Sequence, residues 1–185
     1  MLIVILIVLF FVILVPVLMY NGLIGKRNMV DNAFSAVDTH LKKRYDLIPN
    51  LVSSVKTYMQ HESGTLTKIT ELRAQAMQAG SPDEKIAIDK EMTGLMRSIM
   101  VAVENYPDLK ASENFLQLQA ALNNTEEQIA AARRAYNAAV LDLNNAVQMF
   151  PTNIMAGMMH LSPRKFFEIT EQERQNVNVG DLFKG

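Results

Sequence analysis

The chain has no cysteine and no tryptophan, and its 185 residues include only three histidines, His40, His61 and His160. Without cysteine there are no disulfides, no thiol catalysis and no thiolate metal sites, which fits a reducing compartment and equally a domain that needs no cross-link. His61-Glu62 has no second histidine at H-E-x-x-H spacing, so no metal is expected there. No G-x-G-x-x-G or Walker-type loop is present to cradle a phosphate, and no serine stands on a nucleophile elbow. A formal charge of −1 removes the global electrostatic case for nucleic acid. These gaps argue for a protein that is not an enzyme and carries no cofactor. Eight glycines and six prolines leave few interruptions in a chain rich in Ala, Leu, Gln, Met, Glu and Lys, residues that favour helix.

Charge is also missing from one continuous stretch. Met1 to Tyr20 carries none, and the first charged side chain is Lys26. Roughly 20 apolar residues are what an α-helix needs to cross a hydrocarbon core of ~30 Å. A helix is also the one single segment that satisfies its own backbone there. A cleaved signal would show a basic n-region, a shorter apolar stretch and a small-residue site, and none is present. Pro16 is tolerable near the end of a span as a kink. The alternative is the buried core helix of a soluble protein. Lys26 and Arg27 follow the apolar run against Asp31 alone. On the positive-inside rule this sets the N-terminus outside and the remaining chain in the cytoplasm.

Beyond the span, apolar residues recur at steps of three and four, the mark of helices with one packed stripe. The first stripe reads Val30, Phe34, Val37, Leu41, Ile48, Leu51, Val55 and Tyr58, with Arg44 standing where an apolar residue belongs. Pro49 predicts a kink, and Gly64 a break before Leu66, Ile69, Leu72 and Ala76. Gly80-Ser81-Pro82-Asp83-Glu84 is a helix boundary, with Ser81 as N-cap, Pro82 at the first helical position and Glu84 completing a capping box. The next stripe is Ile88, Met92, Leu95, Ile99 and Ala102, ending near Tyr106-Pro107. The longest runs from Phe115 through Leu118, Leu122, Thr125, Ile129, Ala132, Tyr136, Ala139, Leu143 and Val147 to Phe150, and Pro151 stops it.

These patterns predict an all-α fold, an N-terminal transmembrane helix followed by an antiparallel four-helix bundle with long helices. The anchor covers 1–24, the bundle 27–150, a short Met/Phe-rich segment 151–169 lies at the bundle base, and a polar tail covers 170–185. If the break near Gly64 reverses the chain, the Tyr106 link is distal and the segment after Pro151 returns to the bilayer. If the first two helices form one continuous rod, that placement fails.

Three groups of residues are candidates for function. Arg44, Tyr45, Asp46 and Asn50 form the strongest polar constellation, since Asp46 and Asn50 share a helix face and Arg44 sits on the stripe. They read either as a buried polar layer that fixes register, paired with Glu126 or Glu104, or as a site for a ligand or partner. Tyr106, Pro107, Asp108 and Leu109 form a turn with Asp108 as N-cap, and as an exposed tip could serve for docking. Ile154, Met155, Met158 and Met159 suit core packing at the base, or contact with membrane or a neighbouring subunit.

Several stretches, taken in order, resemble LemA proteins: Tyr20-Asn21-Gly22-Leu23, Arg27-Asn28, Arg44-Tyr45-Asp46-Leu47-Ile48-Pro49-Asn50-Leu51, Glu104-Asn105-Tyr106-Pro107-Asp108-Leu109-Lys110-Ala111, Arg133-Arg134-Ala135-Tyr136-Asn137 and Phe150-Pro151. The resemblance reaches from just after the span to about Phe167. It implies a bacterial inner-membrane protein with an N-terminal anchor, an antiparallel four-helix domain and no established catalytic activity. It also implies a possible membrane-protease partner, because genes of HtpX-like metalloproteases often neighbour those of the family. Two functions follow as expectations. One is a non-enzymatic single-pass scaffold, in contact with membrane lipid, that self-associates into a homo-oligomer. The other is an adaptor or sensor for a membrane protease or another envelope partner.

Overall fold

The computed structural model describes residues 1–59 and 62–167, and all regular structure among them is helical. His61 and the tail 170–185 lie outside the described residues. Helix α1 runs unbroken over Leu2–Val55 with Pro16 and Pro49 inside it. Nothing in its backbone marks the boundary expected at residues 24–27, where Gly22 and Gly25 are the nearby helix breakers. Each costs only about 1 kcal/mol against Ala in a helix. Helix α2 covers Ser63–Gln78, so the first two stripes belong to separate helices and not to one rod.

Helix α3, Pro82–Val103, begins as the motif requires. The Ser81 Oγ accepts from the Glu84 N–H at 3.2 Å, and Glu84 Oε2 accepts in return from the Ser81 N–H at 3.2 Å. The Tyr106 link holds a one-turn helix α4, Pro107–Lys110, which contains Asp108. Asp108 therefore caps nothing. Ser112 caps α5, Glu113–Gln148, by accepting from the Phe115 N–H at 3.3 Å. A short α6, Thr152–Met158, follows Pro151 and packs on both α1 and α5.

One core cluster gathers Val30, Val37, Leu41, Tyr45, Ile48, Leu51 and Val55 of α1 with Leu66, Ile69, Leu72 and Ala76 of α2, and with the inner faces of α3 and α5. Four expected stripe positions move by one residue, one after α1 and three on α3. Tyr58 is exposed and Met59 is buried in its place. On α3 the buried row is Asp89, Met92, Met96, Ile99 and Val103, whereas Ile88, Leu95 and Ala102 are half-buried beside it. Phe150, beyond the end of α5, projects outward. The first twenty residues differ from everything after them: no side chain there is buried, and the helix is apolar enough to cross a membrane.

Candidate functional site

Arg44 is the centre of the polar chemistry. Its side chain is fully enclosed, held on α1 between Leu41 and Ile48, so its charge has to be met inside the fold. Nη2 donates to Asp89 Oδ1 on α3. Nη1 donates to Glu126 Oε1 on α5 at 3.0 Å and to Thr93 Oγ1 at 3.2 Å. Arg133 Nη2 takes the other Asp89 oxygen, while the Thr93 hydroxyl donates to the Asp89 carbonyl at 2.8 Å. Two guanidinium groups thus meet two carboxylates across α1, α3 and α5. Burial alone would lower the Arg44 pKa, and the charges of Asp89 and Glu126 outweigh it, so the pKa rises.

Tyr45, next in sequence, is buried with its hydroxyl unpartnered among the described residues. Burial pushes this phenol up to about 12. Arg73 on α2 donates from Nε to the Tyr45 carbonyl at 2.8 Å, tying the fourth long helix to the same level. Asp46 and Asn50 do not join them, for both face solvent. A helix cannot aim residues two and six positions beyond Arg44 at the same interior, because they lie about 200° and 240° further round its axis.

Of the expected partners, Glu126 is in place and Glu104 is not; it is exposed and pairs with Lys110. Asp89 and Arg133 were missed by pattern reading. Counting back from Met92, a step of three lands on Asp89 and a step of four on Ile88, and the apolar choice hid the buried carboxylate.

The arrangement has little to offer a substrate. Both Asp89 oxygens are occupied, and arginines keep their protons under physiological conditions. Among the described residues no group of three His, Asp or Glu could hold a metal ion. What this layer can do is fix how three helices meet, since a shift of one residue would bury unpaired charge.

A second polar device lies toward the C-terminal end of α5. Residues 161–167 leave α6 without helical structure and run along the domain. Asn144 accepts from the Arg164 N–H at 2.7 Å and donates to its carbonyl at 2.9 Å. Asn137 grips Phe167 the same way, at 2.9 Å each. Seven helical residues rise about 10.5 Å, close to three residues of extended chain, so the two clamps match in spacing. Phe167 then fills a slot against Phe34 and Tyr136, with the Arg133 guanidinium 5.5 Å from its ring centroid. Tyr136 donates its hydroxyl to the Lys165 carbonyl at 3.1 Å, and burial raises its pKa.

At the expected tip, Leu109 is core and Tyr106 is half-buried against it, leaving Pro107 and Asp108 outermost. At the base, Ile154 and Met158 are exposed while Met155 and Met159 are half-buried. A groove of about 620 Å³ opens between the end of α1 and the start of α2, lined by Val52, Met59, Leu66 and Ala74 with Lys56 and Glu71 at its polar edge.

A family model described as the LemA family matches residues 33–180. The chain is 28% identical over 163 residues to "Protein LemA" of Metamycoplasma hominis, a match that covers 88% of this chain and 74% of that protein.

Proposed function

The chain belongs to the LemA family, and from that premise we propose a single-pass membrane scaffold of the bacterial inner membrane whose helical domain self-associates. The observation that carries this reading is α1 itself. One unbroken helix joins a wholly unburied apolar run to a domain whose buried charges are spent on one another. Lys26 and Arg27 favour a cytoplasmic domain. The contacts support four long helices in antiparallel order. Asp38 pairs with Lys85 and Arg44 with Asp89, so α1 and α3 run the same way with α2 between them in the chain. Phe34 meets Tyr136 and Arg44 meets Glu126, so α5 runs back along α1.

Self-association is supported by an apolar run with no second candidate span among the described residues and by outward-facing Leu116 and Leu141 on α5. The test is the mass of the detergent-purified chain by light scattering, corrected for bound detergent. A single defined multiple of the chain mass is expected, and a monomer at micromolar concentration overturns the proposal.

The apolar groove between α1 and α2 favours a second reading, an adaptor for an HtpX-like protease or another envelope partner. A photo-crosslinker at Thr67, on the groove wall, should then capture such a protein in cells. Capture of the chain by itself alone would exclude it.

A further inference from the structure

We infer that the turn after α5, together with α6, is a second membrane contact, a foot that inserts apolar side chains into the lipid interface beside the anchor. The inference rests on the reading of residues 1–20 as a membrane span. Phe34 packs on Tyr136, and ten residues further along α1 Arg44 reaches Glu126, ten residues back along α5. Continued at one residue for one, that register sets Gln148, the end of α5, level with Gly22. The apolar run ends at Tyr20. The chain that follows, Met149 to Met158, is by this register held where the apolar run ends, and α6 packs on both α1 and α5.

The foot's surface suits that depth. Phe150 is 79% and Met158 72% exposed, and Met149 and Ile154 are nearly as open. Ala156 turns inward and is buried, so α6 has an inner face that docks and an outer face that does not. No Asp, Glu, Lys or Arg lies between Asn144 and Leu161. Lys26 and Arg27 stand one turn above on α1, at the height of lipid phosphates. A short amphipathic segment with this division lies in the interface with its apolar side about 5–10 Å deep. The occupant we assign is lipid, because the continuous α1 fixes the foot's depth against the apolar run itself.

The missing cysteines make the test direct. Single substitutions Phe150→Cys, Ile154→Cys and Met158→Cys in the full chain, with Ala111→Cys at the far link as control, can each carry an environment-sensitive fluorophore. All four positions are exposed, so the labels displace no core contact. The labelled chain is placed at one copy per nanodisc, with or without lipids spin-labelled near the headgroup. Labels at 150, 154 and 158 should be blue-shifted and quenched about twofold or more by the spin-labelled lipid, and the label at 111 neither. A blue shift without quenching would mean protein contact and overturn the proposal, as would the absence of both. A chain that does not enter nanodiscs at all would refute the span, a different outcome from unquenched labels on an inserted chain.

Discussion

The two halves of α1 share one backbone and solve opposite problems. From Leu2 to Tyr20 every side chain is apolar or nearly so and none is buried, so the segment depends on a solvent the protein does not supply. From Leu23 to Val55 most large apolar residues keep to one stripe that the other helices enclose, Met29 facing out, with a full positive charge among the buried ones. The charge that would be costly in the first half is tolerable in the second because Asp89 and Glu126 come to meet it. Burial, then, is a property of pattern and partners and not of apolar content alone.

Exchanging the two designs should damage both. Arg44→Leu removes the charge from the patterned half and leaves Asp89 and Glu126 short of a counter-charge. The expected loss is about 3–5 kcal/mol in denaturant titration of the detergent-solubilised chain. Adding Asp89→Leu should return part of it, and an unchanged midpoint for the single variant would break the comparison. The reverse exchange, Leu9→Lys, puts an unpaired charge at the middle of the apolar half. It should disfavour insertion by about 2.5–3.5 kcal/mol, read as release from membranes on carbonate extraction. Retention like that of the parent would mean that the segment finds a protein partner instead of lipid.

Smaller changes sharpen the contrast within the enclosed half. Asn144→Ala strips both backbone partners from Arg164 and should cost about 1–3 kcal/mol, measured in the same titration. Tyr45→Phe should alter stability by less than about 1 kcal/mol at neutral pH, because the hydroxyl it removes has no partner among the described residues. Its effect belongs at alkaline pH. The folded pKa of about 12 lies above the ordinary 10.0, so the phenol's contribution is intact below pH 10 and is lost as pH rises from 10 toward 12. Thermal unfolding of the parent should fall through that window, and the variant should fall less.

Local signals in the sequence were as informative as local chemistry allows. The capping box at Ser81 and Glu84 needs only four residues, and the structure forms it as read. The α2 stripe of Leu66, Ile69, Leu72 and Ala76 is buried as spaced, and Arg44 on its stripe pointed to a buried layer with Glu126 or Glu104 as partner, of which Glu126 is the one that pairs. What escaped depends on docking. Whether Asp89 or Ile88 faces inward is set by how α3 rotates against α1 and α5, and both fit the spacing. Residues 161–167 carry no period, and their place is set by Asn137 and Asn144 on a helix whose pattern ignores them. Asp46 and Asn50 looked like part of a site through sequence proximity to Arg44, but the helix turns them to solvent.

The clamp at Phe167 bears on the order of events as the chain is made. Synthesis releases the apolar run first and Phe167 only after α5 and α6, yet Phe167 belongs to the same core as Val30. The apolar run is therefore free to engage a bilayer while the domain still lacks its last piece. On the proposed reading of residues 1–20 as a span, the domain would then close beside the bilayer its first helix has entered.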